Sequence, residues 1–231
     1  MKTIGLIGGL SWESTATYYR YLNEMVQENK GKLHSARCVI HSFDFQEIVL
    51  LQQKDKWEEA ADKLISAALK LEKAGAECLV ICSNTMHRIA DDIEEQLSIP
   101  LIHIVDVTAA QISAKKLTKV ALLGTGYTME QQFYRERLEL NGISVMTPIQ
   151  QDRHTVHNII FDELCKGAWK EDSKEKLLKI IDKLKRNGAE GVILGCTELP
   201  LLIQQKDVDL PLFDTTLIHA KAAVQLSLSK A

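Results

Sequence analysis

Short unbroken apolar runs alternate with longer segments of helical periodicity. Lys2 to Ile7 is an apolar run of the kind that a strand buried on both faces needs, and it closes at Gly8-Gly9. Ser11 to Glu28 follows with helical spacing and offers Ser11 or Ser14 as N-cap. Val39 to Phe43 is a second strand, and Phe45 to Leu51 a short turn or helix. From Trp57 to Ala74, residues Ala60, Leu64, Ala67, Ala68 and Leu71 share one helix face, with Gly75 where a C-cap belongs. Cys78 to Cys82 is the third strand, Thr85 to Leu97 a helix, Ile99 to Ile104 a fourth strand and Asp106 to Leu117 a helix.

The pattern then starts again. Lys119 to Leu123 is a strand closed by Gly124-Thr125-Gly126, as the first strand is closed by Gly8-Gly9. A helix over Met129 to Asn141, a strand over Ser144 to Thr147, and helices over Asp152 to Lys166 and Lys174 to Arg186 follow. Gly191 to Leu194 and Leu210 to Phe213 are strands, and Thr216 to Leu228 is the last helix. Three landmarks recur in order, offset by roughly 110–115 residues: a glycine-ended strand, a GAE-strand-cysteine unit (Lys73 to Cys82, Arg186 to Cys196) and a proline-led strand (Pro100, Pro211). The expected fold class is therefore α/β. Two pseudo-symmetric domains each carry a parallel sheet of about four strands flanked by helices, with the active site between them. The expected domains are 1–116 and 117–214, the last helix (about 215–231) being assignable to the first.

Both GAE-led strands end in a cysteine followed by small polar residues, Cys82-Ser83-Asn84-Thr85 and Cys196-Thr197-Glu198. Ligands of open parallel sheets sit beyond the carboxyl ends of the strands. A thiol there is a useful base once its pKa is near ambient pH, and a following helix N-terminus favours the thiolate or a bound carboxylate. Two thiols on opposite sides of one carbon permit inversion: one removes a proton and the other returns one from the far face. A cysteine at the end of an apolar run is more often core packing, and Cys38, Cys78 and Cys165 keep that reading. For Cys82 and Cys196 the repeat and the polar neighbours favour function.

Composition narrows the class. The 231 residues carry a net charge of −3, with 45% hydrophobic and 26% charged residues, and no basic run interleaves with aromatics, so a nucleic-acid partner is not expected. No apolar stretch reaches a membrane span, and the opening MKTIGLIGG is not a signal peptide, so the expected compartment is the cytoplasm. Five irregularly spaced cysteines fit free thiols in a reducing compartment. Zinc is not expected, because Cys82 and His87 stand without a CxxC or HxxxH partner. A dinucleotide is not expected either: GLIGG lacks the G-x-G-x-x-G spacing and Gly124 to Gly126 has only its first pair.

The constellation resembles the cofactor-independent aspartate/glutamate racemase family, most of all the branch active on L-aspartate and L-glutamate. KTIGLIGGLSWEST (Lys2 to Thr15), CSNTMH (Cys82 to His87), ALLGTGYTMEQ (Ala121 to Gln131), GCTELPLL (Gly195 to Leu202) and FDTTLIHA (Phe213 to Ala220) carry the likeness. It implies Cys82 and Cys196 as the acid/base pair, no cofactor, and an amino-acid substrate touched by Ser83, Asn84, Thr85, Thr197 and Glu198, with Ser11 and Gln52 from neighbouring loops. It also implies a homodimer. The arginine and lysine that some aspartate racemases place after the second strand and near the end of the Asp152 to Lys166 helix are not evident in FDFQEI (Phe43 to Ile48) or ELCKG (Glu163 to Gly167). Glu198 has two readings, a contact to the substrate ammonium or a cap on its own helix. The alternatives at family level are a decarboxylase or cis-trans isomerase of a small diacid, or a non-catalytic acidic amino-acid binding protein.

Overall fold

A computed structural model describes residues 1–229; residues 230 and 231, which the expected first domain takes with the last helix, lie outside the described residues. The chain packs as two compact units. One comprises Met1–Ile104 and the segment from His219 onward, the other Val105–Ile218.

The first unit holds a three-stranded parallel sheet, β1 (Ile4–Gly8), β2 (Cys38–Ser42) and β3 (Cys78–Ile81), in the order β2-β1-β3. Its helices are α1 (Trp12–Lys30), α2 (Phe45–Gln53), α3 (Trp57–Lys73) and the short α4 (Ala90–Glu94). The chain leaves this unit at the start of α5 (Ile104–Ala114). The second unit has four parallel strands, β4 (Lys119–Gly124), β5 (Ser144–Met146), β6 (Gly191–Gly195) and β7 (Leu212–Asp214), in the order β5-β4-β6-β7. With them come α6 (Gly126–Glu130), α7 (Gln132–Glu139), α8 (Gln150–Asn158), α9 (Glu171–Arg186) and α10 (Leu199–Leu202). The final helix, α11 (Thr215–Leu228), begins in the second unit and ends in the first.

Apolar residues on both faces of the central strands explain why those strands are buried. Ile4, Leu6, Cys78 and Val80 meet Tyr18, Leu22 and Val26 of α1 and Ala220, Ala223 and Val224 of α11 in one cluster. In the second unit Ala121, Leu123, Val192 and Leu194 meet Val156 of α8 and Leu177, Ile180, Ile181 and Leu184 of α9.

The two GAE lead-ins are the same device used twice. After α3, Gly75 has φ +92° and donates to Glu72 O, while Ala76 N–H reaches back to Leu71 O. After α9, Gly188 has φ +94° and donates to Lys185 O, while Ala189 N–H reaches Leu184 O. Both are Schellman closures, which need a residue in the left-handed region. The glutamate that follows clamps the neighbouring strand. Glu77 N–H donates to Thr3 O and its carboxylate accepts from Thr3 N–H at 2.8 Å. Glu190 N–H donates to Lys119 O and its carboxylate accepts from Thr118 and Lys119 N–H at 2.8 and 2.9 Å.

Four expected elements differ from those observed. Ile99 to Ile104 forms a single bridge, Leu79 to Leu101, not a fourth strand. Pro100 has no N–H to pair, and α5 begins at Ile104, leaving room for little more. The expected helix Thr85 to Leu97 splits into a 3₁₀ turn (Thr85–Ile89) and α4. There the Ser83 hydroxyl accepts from Met86 N–H and its carbonyl bonds the His87 ring, local contacts that compete with α-helical pairing. The expected helices Met129 to Asn141 and Asp152 to Lys166 are also broken. Gln131 is extended between α6 and α7 (ψ 151°), and α8 runs into a π-turn (Ile159–Glu163) and a 3₁₀ turn (Leu164–Lys166).

Gly75→Ala should destabilise the protein by about 1–2 kcal/mol, the cost of forcing an L side chain to positive φ. No atom lies within 4 Å of a Cβ built there, so backbone conformation alone is tested. Urea denaturation should show a lower midpoint for Gly75→Ala and a smaller loss for Gly75→Asn; an unshifted midpoint for the alanine variant refutes the closure's importance.

Candidate active site

In each unit a glycine-ended strand lies beside a cysteine-ended one. Ile7 of β1 pairs with Ile81 of β3, which places Gly8-Gly9 and Cys82 at the same sheet end. Gly124 of β4 pairs with Gly195 of β6, which does the same for Thr125-Gly126 and Cys196. The glycines are there because neighbours approach closely. A Cβ on Gly9 (φ +70°) would lie 2.2 Å from Phe43 backbone atoms, and one on Gly8 2.5 Å from the Thr15 methyl.

Hydroxyls in the first turn of α1 hold this end of the first unit together. Ser14 Oγ donates to Cys82 O at 2.9 Å, and Thr15 Oγ1 accepts from Gly9 N–H at 2.9 Å. Cys82 N–H donates to Ile7 O. Ser11 is the N-cap, its hydroxyl accepting from Ser14 N–H, and it sits at φ +93°, an unusual value for a residue with a side chain. Ser11, Asn84 and Thr85 are buried and Ser83 is half-buried. Gln52 is buried with its amide donating to Met86 Sδ at 3.0 Å, so it braces the turn after Cys82.

In the second unit Glu198 sits at the N-cap of α10 but its side chain makes no capping bond. Its carboxylate instead accepts from Cys196 Sγ–H at 2.9 Å and Thr197 Oγ1–H at 2.6 Å, and its charge also acts on the Cys165 thiol. A thiol and a hydroxyl thus converge on one buried carboxylate. Sequence reasoning left Cys165 as a packing thiol, and no local signal in ELCKG marks it, since its partner is 33 residues away. Ser14 is legible in the sequence only as a candidate N-cap and Thr15 only as the end of the opening motif, although a threonine against the strand-end glycine recurs as Thr128 beside Gly124.

The profile of the Asp/Glu/Hydantoin racemase family matches residues 7–223. The chain belongs to that family. Among solved structures it is similar to a candidate Asp/Glu racemase from Yersinia pestis, 51% identical over 99% of this chain and all of that one, with a TM-score of 0.93. An aspartate racemase homologue from Pyrococcus horikoshii OT3 is 39% identical over 99% and 100% of the two chains, with a TM-score of 0.87. The broad specificity amino-acid racemase RacX of Bacillus subtilis is 24% identical over 98% of both chains. The family places this chain among the isomerases, as an amino-acid racemase.

In this racemase the thiols are held protonated. Burial raises the Cys82 pKa well above the ordinary thiol value, with a small contribution from Cys38. Burial also raises Cys196, and the charges of Glu198 and Cys165 add to the effect. Burial and Glu198 push Cys165 up to about 12. The expectation that a helix N-terminus lowers either thiol meets a physical limit. The turn after Cys82 is a five-residue 3₁₀ helix and α10 has four residues, too short for a substantial dipole. A thiolate here needs a cation delivered to it.

Two outcomes follow from these environments. Glu198→Gln removes the charge that raises Cys196, so alkylation of Cys196 at fixed pH, read by mass spectrometry, should speed up; an unchanged rate means the carboxylate does not act on that sulfur. The buried histidines give an acid limit to stability. Burial lowers His87 well below its ordinary value and His219 to about 3. Above the unfolded value of about 6.5 both states are neutral and these groups contribute nothing to the pH dependence. Below it the unfolded chain binds protons that the folded one refuses, so stability falls as pH drops, for His219 down to about 3. Denaturation midpoints at pH 7.5, 6 and 5 should decline in that order, and less steeply in His219→Gln.

Proposed function

We propose that this racemase interconverts the enantiomers of aspartate or glutamate without a cofactor, with Cys82 and Cys196 as the two bases. The supporting observation is the repetition. Each thiol directly follows the strand next to a glycine-ended one, once in each unit. A packing cysteine has no reason to recur at the equivalent strand end beside small polar residues.

The chemistry starts from two thiols. The α-ammonium of a zwitterionic substrate is the cation that the buried sulfurs lack, and its approach favours one thiolate, whose proton leaves to solvent as the substrate enters. One thiolate then removes the α-hydrogen while the other thiol donates its proton to the opposite face. Catalysis ends with the two sulfurs in exchanged protonation states. Exclusion of water around the reacting carbon strengthens every charge interaction there. Ser83, Asn84, Thr85 and Thr197, with the loop amides beside them, serve the α-carboxylate, where negative charge grows in the transition state. Ser11 shapes the loop over this end, and Gln52 acts through Met86. Glu198 acts on Cys196 directly, as the acceptor of its S–H hydrogen bond.

Incubation with L-aspartate or L-glutamate in D₂O, followed by proton NMR and chiral chromatography, should show inversion with solvent deuterium at the α-carbon. Cys82→Ala and Cys196→Ala should each abolish inversion, while either can retain deuterium exchange from one enantiomer. Near-normal turnover by either variant would falsify the two-base mechanism, and binding without exchange would refute racemisation of these substrates.

A further inference from the structure

Behind the Cys82 turn lie three buried imidazoles, His87, His103 and His219, exposed by 3%, 6% and 0%. The His87 ring stacks edge-on against His103 at 4.7 Å and against His219 at 5.4 Å between centroids. Hydrogen bonds fix two of the tautomers. Ile104 N–H, which can only donate, points at His87 Nε2 at 3.2 Å, so Nε2 carries the lone pair. His87 Nδ1 therefore carries the hydrogen and donates it to Ser83 O at 2.7 Å. The Ile102 carbonyl can only accept, and it lies 2.6 Å from His219 Nε2. His219 Nδ1 is then the acceptor for the Tyr18 hydroxyl at 2.8 Å.

We propose that His87 is a positioning residue for Cys82, locked neutral in the Nδ1–H form and acting through the Ser83 carbonyl. The inference rests on the reading of Cys82 as one of the two bases. The peptide groups around Cys82 are held on four sides. Cys82 N–H bonds Ile7 O, Cys82 O bonds Ser14 Oγ, Ser83 N–H bonds Ile81 O, and Ser83 O bonds His87. Three of these partners are fixed by β1, β3 or α1, and the imidazole is the fourth. A cationic His87 loses the acceptor for Ile104 N–H, because both ring nitrogens then carry hydrogen. The groups whose charge acts on it are His103, in the segment before α5, and His219, on α11; Tyr18 of α1 meets His219. Burial opposes protonation of both His87 and His219.

The second copy of the strand end lacks this device. Five residues after Cys196 stands Leu201 in place of an imidazole, and the Glu198 carboxylate contacts the sulfur itself. One thiol is placed through its backbone, the other through its proton.

The test compares His87→Leu and His87→Asn with the wild type and with Cys82→Ala. Asparagine puts its amide nitrogen close to the Nδ1 position and keeps the donor to Ser83 O; leucine does not. His87→Leu should lose about 10²-fold in kcat for racemisation, the cost of a roughly 1 Å misplacement of a catalytic group. Its KM should stay within a few-fold of wild type, and one-sided deuterium exchange through Cys196 should persist. His87→Asn should recover most of the loss. Equal losses in both variants, or wild-type turnover by His87→Leu while Cys82→Ala is inactive, overturn the inference. Turnover by Cys82→Ala instead overturns the base assignment, and with it any positioning role toward that base. Nitrogen-15 NMR of histidine-labelled wild-type protein tests the tautomer without any variant. His87 should remain neutral and Nδ1-protonated from pH 8 to pH 5, and an imidazolium or Nε2–H signal for it refutes the proposal.

Discussion

Backbone groups at the ends of buried parallel strands must find partners without water, and this constraint shapes both sulfur sites. A parallel strand covered on both faces cannot run into a loose loop. In the first unit the partners come from the hydroxyls of Ser14 and Thr15, which meet Cys82 O and Gly9 N–H from the first turn of α1. In the second, Thr125 caps α6 by accepting from Thr128 N–H, and Thr215 Oγ1 donates to Leu194 O one residue before the end of β6. The strand-end glycines are consequences, standing where another backbone or a threonine crowds in.

The same burial sets the electrostatics. A thiol surrounded by Ile, Leu and Val side chains resists ionisation, and neither short turn that follows has a dipole large enough to reverse that. The resting sulfurs are acids. A site of this kind stays chemically quiet until a positively charged group enters, which couples reactivity to occupancy and limits stray oxidation or alkylation. Among the groups described around Cys196 the local charge is negative, through Glu198, whereas those around Cys82 are neutral imidazoles and hydroxyls. The halves share a fold but not an environment, and the difference lies in the residues just after each strand.

The repeated strand-end architecture also explains why helix expectations fail where they do. The broken segments after Cys82 and after Gly126, and the π- and 3₁₀-turns that lead to Cys165, all lie next to the sulfurs. Elsewhere α1, α3, α9 and α11 lie within a few residues of their expected bounds. Side chains that bond their own backbone near a strand end compete with the regular i→i−4 pattern. The Ser83 and His87 contacts are such a case, and the π-turn at Ile159–Glu163 is of a class often found beside functional groups.

Periodicity and the duplicated landmarks carried the α/β alternation, the parallel sheets and the cysteines at strand ends, because those depend on local apolar spacing and on recurring residue types, while the family was legible from the resemblance of whole motifs such as CSNTMH and GCTELPLL. Gly75 was legible as a helix stop for the same reason, since a left-handed closure needs a particular residue at a particular place. Tertiary structure decided what contacts at long range decide. It reduced the Pro100 strand to one bridge, put Cys165 on Glu198, turned Glu198 away from its helix toward Cys196, and chose the tautomers of His87 and His219. Each of those outcomes depends on a partner far away in the chain or on a neighbour's hydrogen-bonding capacity, neither of which is written in a residue's own surroundings in the sequence.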